Sequence, residues 1–245
     1  MFEIELYVML VTVIFLAHVI HGITGFGAMV LSLPLLSLVF DTKLILPVMV
    51  VVSFFQVAWF VITQWKKIQF RHAAYILVLA SVGFPLGFAV FSYLPTEWLE
   101  ISLGVFVIFV ALWNLSGIET SGKLPGPAYY LLNFVGGIVQ GALASGGPLL
   151  VIYAAKMIKD KSEFRATLAL IWVVLGAFLM TSYTVSGVWK SEMWPLIGWG
   201  LPAVVAGTAA GIYLHDRIPQ RPFRIMVFAL LLLSGAVLMR PLFFS

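Results

Sequence analysis

Ser145, Gly146, Gly147 and Pro148 interrupt an otherwise apolar stretch, GIVQGALASGGPLL at 137–150. The glycines weaken a helix, and Pro148 cannot continue one but suits the first turn of a new one. Ser145 stands where an N-cap would stand, its hydroxyl free for the first unpaired N–H groups. The expectation is a helix ending near Ala144 and a half-helix starting near Pro148. A related stretch, GITGFGAMVLSLPLL, occupies 22–36. With Pro148 placed on Pro34, Gly141 falls on Gly27, Ala142 on Ala28 and Gly136 on Gly22. Two broken helices in corresponding positions are the sequence mark of a transporter's binding site.

The chemistry such breaks offer is anion binding without a buried cation. A helix N-terminus presents unpaired N–H groups and about half a positive charge. Two termini brought to one point, with glycine allowing close approach, suit a tetrahedral or trigonal oxyanion. The candidate substrate-binding set is Thr24, Gly25, Gly27, Gln140, Ser145, Gly146, Gly147 and Pro148, with Thr24, Gln140 and Ser145 as side-chain donors. Asn133 and Gln56 read better as bonds between neighbouring helices.

His18 and His21 lie three apart, on one helix face leading into the first break. Histidine carries protons near neutral pH, so a coupling proton is one reading and a packed neutral ring the other. Arg165, in the run KSEFRAT at 161–167, is a planar donor fork placed to gather anions at a cytoplasmic entrance, or else a topology anchor. No catalytic residue is assigned. Ser145 as an intramembrane nucleophile would need a histidine base from another helix, and Leu143 stands where such a motif has glycine. The chain is read as a non-enzyme.

Composition sets the solvent. Of 245 residues 62% are hydrophobic and 10% charged, and mean hydropathy is +1.09. A soluble domain carries about 25% charged residues, so this chain belongs in a bilayer. The pI of about 9.4 reflects loop charge and topology, not a nucleic-acid partner. With no cysteine, disulfides and thiolate metal sites are excluded, and neither a metal nor a cofactor is called for. No Walker-type Gly-x-x-x-x-Gly-Lys-Ser/Thr occurs, so energy must come from gradients. Glu3 and Glu5 stand where a signal peptide would be basic, and the N-terminus reads as the start of the first span.

Ten apolar segments position the breaks, at about 3–20, 28–40, 44–64, 72–93, 98–117, 127–144, 148–158, 164–186, 195–214 and 223–243. The second and seventh are short, and each forms a broken or re-entrant unit with the segment before it. Counting loops alternately, one side receives eleven Lys and Arg (66, 67, 71, 123, 156, 159, 161, 165, 217, 221 and 224) and the other three (43, 190 and 240). The first side is cytoplasmic and both termini face outward.

Placing Trp189-Lys190 on Trp65-Lys66 also puts Gly207 and Gly211 on Gly83 and Gly87, and Pro219 on Pro95. The loop Lys66–Arg71 is basic where its partner Lys190–Trp194 is nearly neutral; Pro95–Glu100 is acidic where His215–Arg224 is basic. That swap fits an inverted repeat. The expected fold is an all-α polytopic membrane protein, with a first repeat at 1–117, a cytoplasmic linker at 118–126 and a second, inverted repeat at 127–245. The two Gly-x-x-x-Gly pairs imply close helix packing within the chain, rather than a homodimer interface.

At these motifs the chain resembles the sulfite exporter TauE/SafE family of small bacterial membrane transporters. The resemblance rests on GITGFGAMVLSLPLL at 22–36, GGIVQGALASGGPLLVIYA at 136–154 and DKSEFRATL at 160–168, with support from Phe40–Pro47 and Gly83–Gly87. The first motif, Gly25-Phe-Gly27-Ala28, departs from the commoner glycine triplet. The resemblance implies export, or in some members uptake, of small sulfur-containing or organic anions such as sulfite and sulfonates. It also implies a cell-membrane location with lipid as the surrounding partner. The function expected is secondary transport by alternating access at the two breaks, with an anion channel, or a carrier of a non-sulfur organic anion, as the alternatives.

Overall fold

A computed structural model of the chain describes residues 2–25, 27–116, 125–214, 229 and 231–239. Within them the apolar runs become helix and none becomes strand: α1 Phe2–Thr24, α2 Ala28–Leu36, α3 Thr42–Gln64, α4 Phe70–Tyr93, α5 Thr96–Leu115, α6 Gly126–Leu143, α7 Gly147–Met157, α8 Lys161–Val185 and α9 Met193–Leu214. Residues 231–238 are helical, inside the expected tenth segment. Lys123, most of the 118–126 linker, His215, Arg217, Pro219, Arg221, Arg224 and Arg240 lie outside the described residues.

Among the described residues six helices are long and apolar enough to cross a membrane. The exceptions that matter are α2 and α7, of 9 and 11 residues. At 1.5 Å per residue they reach about 14 and 17 Å, half of a ~30 Å hydrocarbon core. Neither spans alone. Local chemistry sets the starts of their long neighbours. The Asp41 carboxylate accepts from the Leu44 N–H at 3.2 Å and opens α3. Asp160 accepts from Ser162 and Glu163 at 2.9 Å each and opens α8. The first helix runs to Thr24 instead of ending near residue 20, because nothing before Gly25 breaks it.

Two close helix pairs frame the bundle. Along α1 and α9, Tyr7 meets Trp199, and Gly22 lies against Gly211, so the two run parallel. Along α4 and α6, Ala80 faces Gly137 and Phe84 faces Gly141, again parallel. A Cβ added to Gly83 or Gly87 would run into the carbonyl oxygens of Phe134 or Ile138. Bare backbone is what lets these helices touch, the basis of small-residue packing in lipid. Gln56 on α3 adds polar glue, donating to the His18 carbonyl at 3.1 Å and to the Thr208 hydroxyl at 2.8 Å. Asn133 bonds within its own helix, to the Tyr129 carbonyl at 2.7 Å.

Candidate functional site

The first break is made by backbone geometry only glycine adopts cheaply. Gly25 and Gly27 have φ of +82° and +100°. Beyond them α2 begins at Ala28, and its first internal bond runs from the Leu31 N–H to the Gly27 carbonyl at 3.0 Å. The N–H groups of Ala28, Met29 and Val30 therefore lack an acceptor inside the helix. The second break differs. Ala144 ends α6 with φ +50°, a left-handed position filled by a residue with a Cβ. The next helix starts at Gly147 with Pro148 in its first turn.

Here the expected capping is corrected. The N-cap of α7 is Gly146, not Ser145. The Ser145 hydroxyl donates back to the Leu143 carbonyl at 2.9 Å. The group that satisfies the break is Gln140, whose Oε1 accepts from the Gly146 N–H at 3.0 Å. An amide held by its oxygen must present its NH2 elsewhere. A Cβ added at Gly146 would run into the Gly136 carbonyl oxygen and come within 2.9 Å of Gln140 Cβ, so no side chain fits there.

One cavity joins the breaks. Its space not filled by atoms, counting the open mouth, is about 550 Å³. Gly27, Ala28 and Met29 line it from the first break, and Gln140, Ala144, Ser145 and Gly147 from the second. His21 faces it from α1, Ser53, Phe54 and Val57 from α3, and Trp172, Gly176 and Leu179 from α8. Among the described residues no Lys, Arg, Asp or Glu lines it.

The two histidines part company. On His18 both ring nitrogens are engaged: Nδ1 lies 2.7 Å from the Ile14 carbonyl and Nε2 lies 3.2 Å from the Ser53 hydroxyl. Both nitrogens of His21 are buried without a hydrogen-bond partner, while its ring stacks on Phe60 with centroids 6.4 Å apart. Arg165 sits on the far end of the same cluster. Its guanidinium lies 5.1 Å from the Phe60 ring centre and donates to the Gly22 carbonyl at 3.3 Å. It does not line the cavity.

Of the residues singled out in the sequence, the cavity gathers Gly27, Gln140, Ser145, Gly147 and His21. It does not take in Thr24, Gly25, Gly146, Pro148 or His18. Thr24 donates to the Ile20 carbonyl at 2.8 Å, one turn back. Gly25 contributes its carbonyl to Trp172 instead. Trp172, Met29 and Ser53 are lining residues that spacing did not reveal. For Trp172 a signal existed: it stands seven residues after Arg165, followed by Gly176 and Leu179 on one face of α8.

A cavity walled by two interrupted helices, inside a bundle of membrane-length helices, is the architecture of a multi-pass membrane protein. The chain belongs to the sulfite exporter TauE/SafE family, whose model matches residues 10–238. Members of that family are membrane transporters and not an enzyme class. A curated relative, the probable inner membrane transporter protein TsaS of Comamonas testosteroni, is 24% identical over 177 residues, covering 70% of this chain and 73% of its own length. No solved structure matches the chain significantly.

Proposed function

We propose that this chain is a secondary transporter that exports a small sulfur-containing anion, such as sulfite or an organosulfonate, by alternating access at a midplane site between the breaks. The observation that carries the reading is a cavity lined by Gly27, Ala28 and Met29 from the first break and by Gln140, Ala144, Ser145 and Gly147 from the second. Free N–H groups of α2, the Gln140 amide and His21 are the proposed donors, with Gly25, Gly146 and Pro148 shaping the breaks. Ser145 contributes as wall, since its hydroxyl proton goes to Leu143. The coupling proton is assigned to His21 in preference to His18, whose nitrogens are engaged. Arg165 is assigned to the cytoplasmic entrance.

The same reading includes two inverted repeats, 1–117 and 127–245, in the inner membrane with both termini outside. Its support is reciprocal packing: α1 of the first half lies along α9 of the second, and α6 of the second lies along α4 of the first. The test is uptake of labelled sulfite and methanesulfonate into proteoliposomes. Saturable flux with counterflow is the expected result. Flux that never saturates means a channel on the same scaffold, and absence of flux for every sulfur anion removes the substrate reading.

A further inference from the structure

The cavity's donors share a property that decides which anions it holds. They are the N–H groups of Ala28, Met29 and Val30, the N–H of Gly147, the amide of Gln140 and the imidazole of His21. All but the imidazole are fixed neutral dipoles, and no arginine or lysine among the described residues reaches the lining. His21 is the independent sign that a ligand belongs here: it is 5% exposed, faces the cavity, and neither ring nitrogen has a partner. A buried polar ring left unmatched is costly unless a bound group completes it. Arg165 is drawn away from this space by the Gly22 carbonyl and the Phe60 ring.

Building on the proposed transport function, we infer that the site selects singly charged anions and rejects doubly charged ones of the same shape. The cost of taking an ion out of water grows as the square of its charge, while the attraction of fixed dipoles grows only in proportion. One charge suits a ring of N–H dipoles at two helix starts. A second adds more desolvation cost than those dipoles return. Arg165 acts on His21 electrostatically, but its guanidinium is committed to the Gly22 carbonyl and the Phe60 ring and lies outside the lining, so it gives a bound anion no direct partner for a second charge. The walls point the same way: Met29, Phe54, Val57, Leu179 and Trp172 are apolar and offer a second charge nothing. For sulfite, the form bound is then the singly protonated ion.

The test uses matched probes on the purified full chain in detergent, by titration calorimetry in alkaline buffer. Methanesulfonate carries one charge and methylphosphonate two, on nearly the same tetrahedron. Benzenesulfonate and phenylphosphonate repeat the comparison with a larger body. The expected result is that the sulfonate of each pair binds at least about tenfold more tightly than the phosphonate. Equal affinity within both pairs overturns the valence inference while leaving the anion site standing. Binding of neither member in either pair overturns the anion site itself, and with it the proposed function. Met29→Lys, which places a cation on the wall in a side chain of similar length, is expected to shrink the gap at least about tenfold, where Met29→Gln leaves it unchanged. A gap unmoved by a folded Met29→Lys protein counts against the electrostatic origin and overturns the inference.

Discussion

The indole nitrogen of Trp172 donates to the carbonyl of Gly25 at 3.3 Å. The far edge of the same ring lies 3.6 Å from where a Cβ on Gly147 would stand. One side chain on α8 thus touches both breaks, binding one and roofing the other. Any movement that changes the distance between the half-helices must move past this ring.

Trp172→Phe keeps most of that ring and removes the donor. The expected cost is about 1 kcal/mol of stability, the usual net worth of a hydrogen bond, read as a lower thermal midpoint in detergent. Transport should become leakier, with counterflow reduced relative to net flux. An unchanged midpoint together with unchanged counterflow would show that the tie to Gly25 holds nothing.

Gln140 separates structure from binding because its two amide ends do different jobs. Its oxygen holds the Gly146 N–H, and its nitrogen end is left for the cavity. Gln140→Glu retains an acceptor and replaces the donors by negative charge. The buried carboxylate lowers stability, and anion affinity should fall at least about tenfold. Ser145→Ala, which removes a hydroxyl already committed to Leu143, should weaken binding far less. Calorimetry on both variants checks the order; a larger loss from Ser145→Ala would return that hydroxyl to the binding set.

Much of this arrangement was legible because it is local. The runs of apolar residues, the Gly25 and Gly27 turn and the Gly147-Pro148 restart all follow from propensities that act within a few residues, and the helices begin and end within a few residues of the expected places. What was not legible depends on groups distant in sequence or on competition between equals. Ser145 has the right type and place for a cap, but Gln140, six residues back, reaches the Gly146 N–H first. Thr24 looks like a donor for the site and instead satisfies the Ile20 carbonyl on its own helix, a bond open to any mid-helix threonine. His18 and His21 are indistinguishable by pattern; the Ile14 carbonyl and Ser53 from α3 engage both nitrogens of one, and neither nitrogen of the other has a partner. Trp172 is marked only by sharing a face of α8 with Arg165, Gly176 and Leu179; its bond to Gly25 depends on a residue 147 positions away in sequence.

Ala144 carries backbone strain at the second break. Its φ of +50° is a glycine-like position held by alanine, a cost of roughly 1–2 kcal/mol. Ala144→Gly should relieve it and raise stability by about 1 kcal/mol. The measurement is thermal unfolding in detergent, paired with the transport rate. Strain retained at a site that must change shape points to a cost in rate, so a more stable and slower Ala144→Gly protein is the expected pair. A fall in stability would mean that the Ala144 methyl, buried against the core, contributes more than the strain removes.

The glycine contacts give the sharpest steric contrast. A methyl at Gly87 would collide with the Ile138 carbonyl, and one at Gly211 would collide with the Val19 carbonyl. Both are backbone atoms inside helices, which cannot step aside without separating α4 from α6 or α1 from α9. Gly198, on the same helix as Gly211, meets nothing within 4 Å. Gly87→Ala and Gly211→Ala should therefore each destabilise the chain by at least ~1–3 kcal/mol, the usual cost of overpacking, while Gly198→Ala should be neutral or gain up to about 1 kcal/mol from helix propensity. Thermal midpoints of the three variants check this directly. The comparison between the first two also bears on the proposed symmetry. Halves related by inversion make the α4–α6 and α1–α9 contacts equivalent, so their losses should be of similar size. A severe loss at Gly87 with none at Gly211 would mean that the two halves pack by different rules.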